Sequence, residues 1–133
     1  MNHVVIDASA LIAVIANEPV KHQLAQVTQD AVLIAPHSVH WEIGNAFSAM
    51  LKRQRATLAQ VVQAVAVYQT IPIRFVEVEL AEALQLAHEL NLYAYDAYLL
   101  RCAIKYSAPL LSLDRGLIHA AQALNAPIIE VTA

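Results

Sequence analysis

Glycine is nearly missing from this chain: two residues in 133. That shortage excludes a class of phosphate chemistry, because a backbone cradle such as GxGxxG or GxxxxGK[ST] needs two or three glycines close together. Gly44 and Gly116 stand far apart, so any phosphate contact falls to side chains or a metal. Cysteine is as scarce. The lone Cys102 forms no internal disulfide and no thiolate zinc site. Long apolar runs are absent despite a mean hydropathy of +0.50. The longest uncharged stretch, between Arg55 and Arg74, carries Thr57, Gln60, Gln63, Gln69, Thr70 and Pro72. It reads as an amphipathic helix and a turn rather than a membrane span. The first residues lack the basic region and cleavage site of a signal peptide. A soluble, cytoplasmic protein with no membrane partner is expected. Excess positive charge is lacking too: 8 Lys+Arg face 11 Asp+Glu, for a net charge of −3. This disfavours non-specific nucleic-acid binding over the whole surface but leaves room for a local basic patch.

What the chain has is apolar residues, 59% of the total, enough for one compact domain over residues 1–133 without a disulfide or metal staple. No linker or internal repeat interrupts it. The apolar period switches repeatedly between strand-like and helix-like. Strands are expected at His3–Ile6, Ala31–Ala35, Arg74–Val78, Leu110–Leu113 and Pro127–Val131. Helices are expected at Ala8–Ala16, Lys21–Thr28, from a Ser38 N-cap to about Gln54, from a Thr57 cap to about Gln69, and at Leu80–Leu90, Asp96–Tyr106 and Arg115–Leu124. Strands alternating with helices imply βαβ units. The fold class is α/β, a three-layer α/β/α sandwich around a central, mainly parallel sheet of about five short strands. Ligands in such folds sit beyond the carboxyl ends of the strands.

Acids occupy those ends. Asp7 follows the first strand in Val4-Val5-Ile6-Asp7-Ala8-Ser9, and Asp114 follows the fourth in Leu110-Leu111-Ser112-Leu113-Asp114. Asp96 heads the helix before the fourth strand. Glu42 lies one turn into the Ser38 helix, bordering the apolar stripe of Val39, Ile43, Ala46, Phe47 and Met50, and Asn45 follows it at i+3. Taken singly, each Asp is an ordinary helix N-cap and Glu42 an ordinary solvated helix residue. Taken together, four acids from separate segments converge on one sheet edge. Carboxylates that close repel and take up protons. A hard divalent cation such as Mg²⁺ or Mn²⁺, which prefers oxygen ligands, relieves the repulsion.

These residues resemble the PIN-domain family, in particular the VapC-type ribonuclease toxins of type II toxin–antitoxin modules. The resemblance rests on Val5-Ile6-Asp7-Ala8-Ser9, Glu42-Ile43-Gly44-Asn45-Ala46, Tyr95-Asp96-Ala97-Tyr98-Leu99-Leu100 and Leu111-Ser112-Leu113-Asp114-Arg115, in that order over nearly the whole chain. It implies a Mg²⁺- or Mn²⁺-dependent endoribonuclease, a hydrolase acting on phosphodiester bonds. Asp7, Glu42, Asp96 and Asp114 would be the catalytic, metal-holding acids, and Ser9, Asn45 and Ser112 their polar supports. Glu42 would bind a second metal or orient the attacking water as a base. Some relatives carry a further acid two residues beyond the last Asp; Gly116 stands there, which removes a ligand from a second metal site. The resemblance further implies a cognate antitoxin protein, docked in an apolar groove with a basic side chain reaching the acids, and a homodimer.

RNA must also be held. Lys52, Arg53 and Arg55 cluster at the end of the Glu42 helix, with Arg53 about 16 Å beyond Glu42 at 1.5 Å per residue. Arg115 adjoins Asp114. Arg53 and Arg115 are the candidate phosphate contacts. His37 and His40, without partner cysteines, do not read as a zinc site. Tyr93, Tyr95 and Tyr98 are base-stacking groups, packing around the start of the Asp96 helix, or a subunit contact, and Cys102 reads as core. A housekeeping PIN ribonuclease in RNA processing and a catalytically silent RNA- or protein-binding module are the competing functions. A receiver-type phospho-acceptor domain lacks its paired acids here, and a haloacid-dehalogenase-type phosphatase would need Asp where this chain has Ser9.

Overall fold

A computed structural model describes residues 2–131. The elements run β1 (Asn2–Ile6), α1 (Ala8–Ile15), α2 (Lys21–Thr28), β2 (Ala31–Pro36), α3 (Ser38–Lys52), α4 (Leu58–Thr70), β3 (Ile73–Val76), α5 (Leu80–Leu90), α6 (Ala94–Lys105), β4 (Leu110–Leu111) and α7 (Arg115–Ala123). The strands form one sheet in the order β3-β2-β1-β4 with every pairing parallel. The strand order reverses at β1. Right-handed crossovers then put α1 to α4 on one face and α5 and α6 on the other. The packing agrees: α1 contacts α3 and α4, whereas α6 contacts β1, β2 and β4 and carries α5. The core is the aliphatic set between these layers, including Val5, Leu11, Ile34, Leu100, Leu111 and Leu117. Near-continuous apolar strands suit a sheet covered on both sides.

The sheet has four strands where about five were expected. The last expected strand, Pro127–Val131, contributes a single bridge, Ile128 to Leu110. Its hydrogen bonds are Leu110 N–H to the Pro127 carbonyl at 3.0 Å and Ile129 N–H to the Leu110 carbonyl at 2.9 Å. The fourth strand is also shorter than expected. Past Leu111 the amides of Leu113 and Asp114 donate to the hydroxyls of Ser9 and Ser112 instead of to a neighbouring strand, so the ladder ends there.

The shortage of glycine shows at the helix ends. Asn17, Gln54, Asn91, Ser107 and Asn125 follow α1, α3, α5, α6 and α7 with φ between 49° and 56°, the left-handed conformation usually left to glycine. Each is followed by an amide that reaches back across the last turn, such as Arg55 N–H to the Met50 carbonyl at 2.9 Å. Thr57 caps α4 in a full capping box with Gln60, as the sequence indicates. Ser38 is not the N-cap expected of it. His37 takes that position in helical conformation without a side-chain cap bond, and Ser38 is the first helical residue. Among the described residues, no helix is long and apolar enough to cross a membrane.

Candidate active site

The strand-order reversal places the ends of β1 and β4 side by side, and their polar residues interlock there. Asp7 is the N-cap of α1 and its Oδ1 accepts from Ala10 N–H at 3.0 Å. Ser9 Oγ donates to the Asp7 carboxylate, 2.7 Å from Oδ1 and 2.9 Å from Oδ2. Ser112 Oγ donates to Asp7 Oδ2 in a short bond. Both hydroxyls also accept: Ser9 from Leu113 N–H at 2.9 Å and Ser112 from Asp114 N–H at 2.9 Å. Each serine therefore uses its single proton on Asp7 and its lone pairs on the chain leaving β4. Asp7 and Ser112 are both buried. Asp114 is exposed and caps α7, with Oδ1 accepting from Gly116 N–H at 2.9 Å and Leu117 N–H at 3.3 Å.

Glu42 and Asp96 arrive from the helices. Glu42 sits in the second turn of α3. Asp96 lies in the first turn of α6 but is not its cap; Tyr93 holds the N-cap position without a side-chain bond. The two helices touch, and the four acids feel one another. Glu42 is pushed up to about 7 from an ordinary 4.5, first by burial and then by repulsion from Asp7, Asp96 and Asp114. Burial also raises Asp96, with Asp114 adding to it. Asp7 is raised by burial; the bonds from Ser112, Ala10 and Ser9 pull back, and Asp114 pushes up again. Desolvation and like charge both disfavour the ionised form, so these acids raise one another's proton affinity.

Among the described residues, no positive side chain forms an ion pair with these acids; Arg101 and Lys105 pair instead with Glu79. Glu42 Oε1 is buried and, among the described residues, without a hydrogen-bond partner. The same holds for Ser38 Oγ, one turn earlier on α3. A buried carboxylate oxygen left unpaired is costly. Oxygen donors in excess of compensating charge fit a hard divalent cation. The fit is one of donor chemistry rather than of finished geometry: among the described residues, no three His, Cys, Asp or Glu side chains stand ready to hold a metal.

Hydrogen bonds thus link Asp7, Ser9, Ser112 and the Asp114 amide, while Glu42 and Asp96 lie near enough to Asp114 for its charge to raise both. Asn45 is exposed one turn beyond Glu42, and its backbone carbonyl accepts from Ser48 Oγ. Arg53 is the exposed C-cap of α3, and Arg115 is exposed at the head of α7. Sequence reasoning assigned Ser38 to a cap and did not single out its buried hydroxyl, which among the described residues has no hydrogen-bond partner. The signal was its i, i+4 spacing to Glu42.

Fold and site together define a class. The PIN domain family matches the chain over residues 4–123, and the chain belongs to that family. Among curated proteins none matches the sequence. Among solved structures, PAE2754 from Pyrobaculum aerophilum is similar at 25% identity and a TM-score of 0.68, over 90% of this chain and 79% of that one. VapC20 from Mycobacterium tuberculosis, a sarcin-ricin loop cleaving toxin, is similar at 16% identity and a TM-score of 0.63, over 88% of this chain and 94% of the other. VapBC2 from Rickettsia felis, bound to a DNA fragment from its promoter, is similar at 11% identity and a TM-score of 0.65, over 96% and 97%. The last two likenesses show the shared fold.

Proposed function

We propose that this chain is a Mg²⁺- or Mn²⁺-dependent endoribonuclease, the toxin of a toxin–antitoxin module. The observation that carries the reading is the gathering of Asp7, Glu42, Asp96 and Asp114 near the β1–β4 switch point, with Glu42 pushed up to about 7, first by burial and then by the charges of the other three. Asp7, Asp96 and Asp114 would hold the ion, with Glu42 beside them. Bound there, the ion polarises a phosphoryl oxygen and lowers the pKa of a water. Ser9 and Ser112 fix the rotamer of Asp7, so its free lone pairs face one direction. Glu42 Oε1 has no internal hydrogen bond to give up, and a carboxylate titrating near 7 is matched to taking a proton from water. Arg115, next to Asp114, and Arg53, at the far end of α3, contact flanking phosphates. Asn45 bonds substrate or ligands from the turn after Glu42.

The toxin assignment draws support from the neighbours named above: one is a cleaving toxin, another is bound to promoter DNA as VapBC2. A groove of about 290 Å³ between α1, α3 and α4, lined by Ile12, Ile15, Phe47, Met50, Val61 and Ala64 among others, suits an apolar antitoxin segment. A homodimer belongs to the same reading. Purified protein is expected to cut RNA with Mn²⁺ or Mg²⁺, to stop in EDTA, and to lose at least ~100-fold in rate as Asp7→Asn or Asp96→Asn. Cleavage that survives EDTA sinks the metal-dependent reading. Mn²⁺ binding in calorimetry without cleavage of any RNA would identify a silent binding module.

A further inference from the structure

The aromatic side chains are unevenly placed. Trp41 is 66% exposed, Tyr93 88%, Tyr95 45% and Tyr106 37%. The first three precede an acid of the site: Trp41 stands one residue before Glu42, and Tyr93 and Tyr95 stand three and one before Asp96. Large apolar rings left in water are unfavourable unless something covers them.

Two of these rings are braced. The edge of one ring meets the face of the other between Trp41 and His40, at 4.7 Å and 77°. His40 is itself held by Tyr68, with Nδ1 and the phenol oxygen 2.9 Å apart, and by the Phe75 ring at 5.8 Å. Tyr68 is buried. Tyr95 packs edge-on against Tyr98 at 6.1 Å and 82°. Side chains fixed from behind and open in front are pre-organised for a flat partner. The two braces come from helices that touch.

We propose that Trp41, with Tyr95 on the touching helix, stacks the unpaired nucleobases next to the scissile phosphate, so that this chain grips single-stranded RNA by base faces rather than by charge. The inference rests on the reading of the acidic centre as a ribonuclease site. It fits the net charge of −3, which leaves little for backbone attraction. Every base has a π-face, so stacking is tolerant of sequence. Arg53 and Arg115 then set the path of the strand, and the rings set which step lies over the acids.

Trp41 is the only tryptophan, so its emission reports the site directly. The full chain carrying Asp96→Asn, which leaves RNA uncut, is titrated in Mg²⁺ with an oligouridine octamer. The control is an abasic ribose-phosphate octamer of equal charge. Saturable quenching by the first and none by the second is expected. Trp41→Ala in the same background weakens octamer binding, read by anisotropy, at least ~5-fold. Trp41→Phe retains most of the affinity, and neither variant moves the melting temperature. Equal quenching by the abasic strand overturns the proposal, as does unchanged affinity in Trp41→Ala. Emission that shifts on dilution without RNA also overturns it and assigns the ring to a second copy of the chain. RNA cleavage without stacking removes this inference and leaves the nuclease standing. Stacking without metal-dependent cleavage does the reverse.

Discussion

Asp114 carries two roles that a single substitution can separate. Its Oδ1 closes the first turn of α7 through Gly116 and Leu117, and its charge raises Asp7, Glu42 and Asp96. Asparagine caps helices about as well as aspartate but carries no charge. Asp114→Asn is therefore expected to change unfolding free energy by less than ~0.5 kcal/mol while weakening Mn²⁺ at least ~10-fold in calorimetry. Asp114→Ala should lose ~1 kcal/mol in urea unfolding as well. If Asn and Ala bind Mn²⁺ as tightly as the parent, Asp114 is a cap and nothing more. Ser9 and Ser112 show the same economy. One hydroxyl each joins β1 to β4 and orients Asp7, so the groups that end the fourth strand are also those that shape the site.

Five helices terminate in left-handed residues that are not glycine. Gln54, after α3, has φ 56° and none of the local side-chain bonding that lets asparagine tolerate that region. Relief of roughly 1–2 kcal/mol of strain is opposed by roughly 0.5–1 kcal/mol of added unfolded-chain entropy in Gln54→Gly. A net gain of ~0.5–1 kcal/mol in urea unfolding is expected, and a loss would show that Gln54 makes a contact worth more than its strain. Element by element, much was legible beforehand. The bounds of α2 and α5 match their apolar periodicity and flanking breakers, and the Thr57 capping box could be read letter by letter. Helix heads without a side-chain cap were not legible. At α3 and α6 the N-cap residues His37 and Tyr93 make no side-chain cap bond, so the cap expected of Ser38, and the plain cap reading of Asp96, do not hold. The final strand failed for a different reason. Its β-branched residues are genuine, but it meets β4 just before β4 turns away to the serines, and only Ile128 finds a bridge partner. Asp7 and Asp114 could be placed at one edge because they follow parallel strands, and Glu42 and Asp96 only by the helices that carry them. Their mutual repulsion could be anticipated, but not that burial would outweigh it at Glu42 and Asp96.

Across the whole molecule, the acidic centre should set how stability responds to pH. Glu42 titrates near 7 when folded, against an ordinary 4.5, and Asp7 and Asp96 are shifted the same way. Below the ordinary value both states hold the proton and nothing is lost. As pH rises toward 7 the unfolded chain releases protons that the folded chain keeps, so folding weakens. Above 7 the full penalty remains. In metal-free buffer, Glu42→Gln should melt with the parent near pH 4.5 and above it at pH 8; adding Mg²⁺ should narrow that gap by stabilising the parent. A gap independent of pH would show that Glu42 does not share charge with the cluster. The lone thiol gives the molecule a clock for its own opening. Cys102 is fully buried in α6, and burial pushes it up to about 12, so the folded chain offers neither access nor thiolate to an alkylating reagent. Modification then counts the moments when α6 leaves the sheet, and because Asp96 rides on the same helix, each such moment is also one in which the acidic centre comes apart.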